Sequence, residues 1–376
     1  MALARTASRS LQPKVLEPGV PRSSQRVLEL DGLRAFAILP VILNHCYPFE
    51  GWLSNIGKTG WIGVDLFFVI SGYLITGILV DTVGRPHYYK NFIARRTLRI
   101  FPLYYVCLVL FVIATKFAHN TSLQKWGGAT WFFFYLGNIR AAWVHGGPPV
   151  FSFAPLWSLQ IEEQYYLLFP LAVALLSMQA LRRFLIGCVV IAPLLRSYLT
   201  LFVPGSAESC FVLMPCRMDA LALGGLLAVI GRFQPASLST PTLKRFGPFV
   251  IGLAVAPALL GVDYASMFMR SVGYTLIDIG CVVLLAIVVS SPASKLAAVL
   301  RWRPLVYTGQ IAYGLYLLHG PASWVGRGLI AHFTSANIKG HSTISVPITF
   351  IAAFIAASIS WRFFELPILR LKQRFS

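Results

Sequence analysis

The chain has 376 residues, 57% of them hydrophobic and only 12% charged, with a mean hydropathy of +0.70. Soluble domains carry about 25% charged residues, so composition excludes an ordinary soluble globule and points to an all-α polytopic membrane protein; the continuous, non-alternating apolar segments speak against a β-barrel. The net charge of +19 is not a nucleic-acid signal, because most Lys and Arg fall in short loops between apolar segments, where they fix topology.

Taken in chain order, residues 1–28 are polar, basic and rich in Ser and Pro, with no apolar h-region, and read as a disordered basic cytosolic tail rather than a signal peptide. Ten apolar segments of spanning length follow, at about 31–49, 61–80, 98–115, 154–176, 184–203, 211–231, 246–262, 271–290, 304–321 and 344–364. A further piece, "ATWFFFYLGNI" at 129–139, is too short to span and is predicted to be re-entrant or interfacial. The expected organisation is a bundle of about ten transmembrane helices over residues 29–366, closed by a short basic cytosolic tail at 367–376.

Basic residues follow every even-numbered span: Arg95, Arg96 and Arg99 after the second, Arg182 and Arg183 after the fourth, Arg232 after the sixth, Arg301 after the eighth. The positive-inside rule then puts both termini in the cytoplasm of a multi-pass protein of the inner (plasma) membrane. Six cysteines lie scattered without a Cys-x-x-Cys pair or a Cys/His cluster, which gives neither a metal site nor a disulfide framework.

Ionisable groups inside spans are costly and usually carry a function. At about 1.5 Å per residue, Arg34 falls near the cytoplasmic end of the first span and His45 about 16 Å further along. Asp65, Glu162, Glu163, Arg217, Asp219 and His319 fall in the outer half of their spans, while the "RRTLR" cluster at 95–99 faces the cytoplasm. Arg217 and Asp219 are expected to pair with each other or with Asp278, and Asp31 to partner Arg34. A basic mouth suits a phosphate-bearing substrate, since guanidinium forks grip phosphates bidentately, and a histidine further out suits proton removal from a hydroxyl. On charge placement alone, acyl transfer and proton-coupled transport fit equally.

The order of motifs separates them. "LDGLRAFAILPVILNH" carries an Arg-x10-His spacing (Arg34 and His45), followed by "GWIGVDLFFVISGYLIT" at 60–76 and "FIARRTLRIFPLYY" at 92–105. Then come "PLWSLQIEEQYYLLFP" at 155–170, "RMDALALGGLLA" at 217–228, "GQIAYGLYLLHGP" at 309–321 and "SWRFFELP" at 360–367. In this order the seven blocks resemble the acyltransferase-3 family of integral-membrane O-acyltransferases over nearly all of residues 29–372. Gln160 departs from the small residues common at its place in the block. The end at Ser376 suggests the stand-alone form without an extracytoplasmic esterase-like domain.

The resemblance implies a membrane O-acyltransferase moving an acyl group, acetyl by default, from cytosolic acyl-CoA to a hydroxyl of a glycan or other extracytoplasmic acceptor. Acyl-CoA (acetyl-CoA) is then a co-substrate, with no permanently bound cofactor and no metal. The expected partners are acyl-CoA, a glycan or small-molecule hydroxyl acceptor and the lipid bilayer, without nucleic acid. A separate soluble acyl-accepting partner is the alternative to completing the transfer itself. The expected catalytic residues are His45, as general base, and Glu162, which orients it or binds the acceptor. Arg34, Arg96 and Arg99 are expected at the coenzyme A phosphates. Asp65, Trp157, Tyr166 and His319 are expected at the substrate; Tyr166 is four residues after Glu162 and so on its face of the helix. The competing reading is a transporter or flippase for a polar or lipid-linked sugar, and a scaffold for glycan assembly ranks behind it.

Overall fold

A computed structural model describes residues 27–46, 55, 57–117, 119, 121–148, 153–234, 241–334 and 345–375. The expected tail at 1–28 lies outside these, apart from Val27 and Leu28. The described residues form a helical chain: α1 (Leu28–Cys46), α2 (Ile62–Thr82), α3 (Tyr88–Phe117), α4 (Ser122–Trp126), α5 (Thr130–Phe133), α6 (Gly137–Trp143), α7 (Leu156–Leu175), α8 (Met178–Phe202), α9 (Ala207–Val212), α10 (Met214–Phe233), α11 (Pro241–Leu259), α12 (Tyr274–Ser290), α13 (Lys295–Leu300), α14 (Arg303–Gln310), α15 (Ala312–Thr334), α16 (Ser345–Ser360) and α17 (Leu366–Arg370). A π-helical turn, Trp361–Glu365, joins α16 to α17, and a 3-10 turn, Leu371–Phe375, follows. The basic segment expected as a tail from 367 is therefore helical to Phe375.

Seven helical stretches among the described residues are long and apolar enough to cross a membrane. Three more, α1, α7 and α15, are 19, 20 and 23 residues long; α1 and α7 match expected spans, whereas the span expected at 304–321 divides between the short α14 and the first half of α15, which continues to Thr334. Their charged and polar side chains, including Arg34, His45, Glu162 and His319, set them apart from the seven. The piece at 129–139 folds as α5, a turn and the start of α6. At four and seven residues these helices are far too short for a core of about 30 Å. They pack inward instead: Tyr104 and Tyr105 donate hydrogen bonds of 2.8 and 3.0 Å to the Phe132 and Phe133 carbonyls.

The centre of the bundle is α2 against α10, flanked by α1, α8 and α12. Of the apolar window containing α2, 67% is buried, against 17% for that of α8. Small residues permit the central approach: a Cβ at Gly72 would run into the Leu221 carbonyl, and one at Gly224 into that of Val69. Close backbone approach of this kind is how helices associate where lipid supplies no hydrophobic drive. On the periphery large apolar side chains face outward with helical spacing, as in Ile351, Ile355, Ile359 and Phe363. A soluble domain does not tolerate exposed apolar stripes of this extent; hydrocarbon does.

Candidate active site

α1 carries His45 in its last turn, one residue before its end. The ring Nδ1 lies 2.9 Å from the Val41 carbonyl, and since a carbonyl only accepts, Nδ1 carries the proton and donates it, leaving Nε2 as the nitrogen with the lone pair. His319 on α15 is held in the same way, its Nδ1 2.8 Å from the Tyr316 carbonyl. The two imidazoles face each other with centroids 4.8 Å apart and planes tilted by 34°. The residue beside His45 is therefore His319, not Glu162.

His45 lines a cavity of about 540 Å³ whose walls include Trp61, Trp157, Phe211, Tyr264 and Tyr316, with Lys58, Glu208 and Asp263 as charged groups. Asn44, one residue before His45, donates to the Gly57 and Lys58 carbonyls at 3.1 and 3.0 Å; this ties the segment carrying Lys58 to α1. Burial, with the carboxylates of Glu208 and Asp263 nearby, pushes the Tyr264 phenol above its ordinary value, so at neutral pH it remains a hydrogen-bond donor. Amphipathic rings beside a few polar groups suit a ligand with both apolar faces and hydroxyls. Gln160, the departure noted in the sequence, is fully buried, and its Oε1 accepts from the Asn138 backbone N–H at 2.5 Å. It thereby anchors α6, which forms part of the cavity wall.

A second, narrower cleft of about 100 Å³ is lined by Arg34, Ser71, Arg96, Arg99, Glu162 and Tyr166, among others. Arg34 holds Asp31 at 3.2 Å, as expected. The Arg96 guanidinium lies over the rings of Phe92 and Tyr166 at 5.5 and 5.8 Å, and its Nε has no hydrogen-bond partner among the described residues. Glu162 accepts a 2.5 Å hydrogen bond from Ser71. Its place is thus with the arginines, although depth along the helix had grouped it with His45. Tyr313 ties the cleft's far wall to α3 through a 2.6 Å bond to the Ile100 carbonyl.

Tyr316 and Val64 line both spaces. The Tyr316 hydroxyl donates to the Pro155 carbonyl at 2.7 Å and meets Ser158 Oγ at 2.7 Å, which leaves Ser158 as the donor of the second bond. Sequence reasoning missed Tyr316: a tyrosine three residues before a histidine on an apolar helix looks like packing, and its partners at the start of α7 are 158 and 161 residues away in the chain.

The remaining charges form a structural layer. Asp65 lines neither space; it is fully buried and pairs with Arg217. Asp219 pairs with Arg196 at 2.9 Å and accepts a 2.6 Å bond from Thr275. Arg217 does not form the expected pair with Asp219, because residues two apart on a helix point to different sides; its salt bridge goes to Asp65, and Asp278 lies only within Coulombic reach of Arg217 and Arg196. The ring of Tyr274 lies beneath both guanidinium groups, 4.4 Å from that of Arg217 and 5.5 Å from that of Arg196.

A polytopic helical membrane protein with a histidine lining one cavity and a second histidine packed against it, an arginine cleft behind and a tyrosine shared by the two spaces is an enzyme-like architecture rather than a scaffold. The chain belongs to the acyltransferase-3 family: the family model described as an acyltransferase domain matches residues 27–363. O-acetyltransferase OatA of Staphylococcus aureus (strain NCTC 8325 / PS 47) is 32% identical over 361 residues, covering 90% of this chain and 56% of that protein. Peptidoglycan O-acetyltransferase OatA of Listeria monocytogenes serovar 1/2a is 33% identical over 367 residues, covering 92% of this chain and 56% of that protein. The chain thus spans a little over half the length of these curated relatives. No solved structure matches it.

Proposed function

We propose that the chain is a membrane O-acyltransferase that takes an acyl group, acetyl first among candidates, from cytosolic acyl-CoA and passes it to a hydroxyl of an extracytoplasmic glycan. The acceptor named for the Listeria relative, peptidoglycan, is the one to test first. The orientation in this reading has both termini in the cytoplasm of the plasma membrane. The observation that carries the reading is the shared wall: the histidine cavity and the arginine cleft meet at Tyr316 and Val64, so an acceptor held in the first and a donor in the second approach across these side chains.

The reaction needs four bond changes. His45 Nε2 takes the proton of the acceptor hydroxyl, and the oxygen attacks the thioester carbonyl. The new C–O bond forms as the C–S bond breaks, and the coenzyme A thiolate leaves and is protonated by the imidazolium or by water. General-base assistance of this kind contributes about 10²–10⁴-fold. Arg34, Arg96 and Arg99 bind the donor's phosphates in charge-assisted bonds. Trp157 supplies an apolar face for the acceptor, and Glu162, fixed by Ser71, offsets the arginine charge in the cleft.

The test is purified protein with radiolabelled acetyl-CoA and muropeptides. The wild type should form an O-acetyl ester, and His45→Ala should lose at least about 100-fold in rate while remaining folded by size-exclusion chromatography. Movement of sugar into liposomes without thioester consumption would establish the transporter reading instead.

A further inference from the structure

A third space, of about 620 Å³, opens beside the arginine cleft and shares Arg96 with it. Its basic walls come from three places in the chain: Arg85 and His87 from the α2–α3 connection, Arg95 and Arg96 from α3, and Lys372 from the 3-10 turn after α17. That turn packs back on α3, which brings Lys372 within Coulombic reach of Arg34, Arg95, Arg96 and Arg99. None of the residues lining the space is acidic. Asp81, next in the chain to the lining residue Thr82, is held by two 2.7 Å bonds from Arg232.

Glu162 and Glu163 offset part of the Arg96 charge from the cleft side; the remaining like charges repel one another, and an anion that neutralises several of them stabilises such an arrangement. The size is that of a small-molecule site. Tyr88 adds a ring to the same wall, a surface on which a base can stack. We propose that this basin binds the nucleotide end of the donor, an adenosine bearing phosphates at its 3′ and 5′ positions, while the thioester arm enters the cleft past Arg96. The assignment rests on the acyl-CoA reading above and extends it to residues that the sequence analysis did not select: Arg85, His87 and Lys372. Lys372 lies beyond the matched family region, which ends at residue 363.

The experiment uses the full chain in phosphatidylcholine nanodiscs, with binding of adenosine 3′,5′-bisphosphate measured calorimetrically. The wild type should bind it, and bind adenosine 5′-monophosphate more weakly. Lys372→Gln and Arg85→Gln should each weaken the bisphosphate by about 10-fold or more, the loss expected for one charge-assisted contact. Equal affinity in the wild type and both variants overturns the assignment. Acetyl-CoA turnover without bisphosphate binding also overturns it while leaving the acyltransferase reading standing; binding without acetyl-CoA turnover does the reverse. Adding phosphatidylglycerol to the nanodiscs separates a lipid phosphate from a nucleotide phosphate: if the anionic lipid alone occupies the basin and excludes the bisphosphate, the nucleotide assignment fails.

Discussion

His319 stands beside His45 with its ring held by the Tyr316 carbonyl, a geometry that in the proposed reaction would position the base. Replacing it with Ala should lower kcat by about 10-fold or more, as expected when a general base loses its alignment, and should alter the pH–rate profile while leaving the KM for acetyl-CoA unchanged. An unaltered pH profile would reduce His319 to packing. At this scale the sequence was legible for residues whose placement follows from position along a helix. Arg34, Arg96 and Arg99 share the cleft, and His45 and Trp157 share the cavity. It was not legible for Glu162 or Asp65, because depth along a helix leaves open which side of the helix a residue occupies. Glu162 turns toward Ser71 and the arginines, and Asp65 toward Arg217.

Between elements, the contact of α2 with α10 combines close backbone approach with a buried ion pair. Gly72→Ala and Gly224→Ala each drive a methyl into a carbonyl, and each should cost about 1–3 kcal/mol, the usual penalty of overpacking. Gly187→Ala on α8, where nothing lies within 4 Å of the added Cβ, should leave thermal stability in detergent unchanged. Equal melting temperatures for all three variants would show that the central packing is looser than described. Arg217→Met leaves the Asp65 carboxylate buried without its partner and should cost about 3–5 kcal/mol. The double variant Arg217→Met, Asp65→Asn should recover part of that loss, and failure to recover any would argue that the pair is not a unit. The sequence disclosed both charges but not their pairing, since their separation of 152 residues is bridged only by the tertiary packing of two helices.

For the molecule as a whole, apolar length disclosed the membrane-spanning character and the short piece at 129–139, whose two small helices now form a wall of the histidine cavity. The helices least like ordinary spans, α1, α7 and α15, carry His45, Glu162 and His319 between them, and composition alone accounts for their lower apolarity: the chemistry displaces hydrocarbon side chains. Their burial among more apolar neighbours makes that tolerable in lipid.

Tyr316 has a consequence for the cell beyond the reaction. In the proposed orientation the two spaces enter the bilayer from opposite faces and risk an electrical short, and the wall they share is Val64 and a phenol latched to Pro155 and Ser158. Under the proposed reaction, such an insulator would have to let a short acyl chain past while keeping the donor's phosphates, and the ions around them, on their own side. Proteoliposomes bearing Tyr316→Ala should dissipate an imposed proton gradient faster than those bearing the wild type; an equally durable gradient would mean that the dielectric barrier lies elsewhere in the bundle.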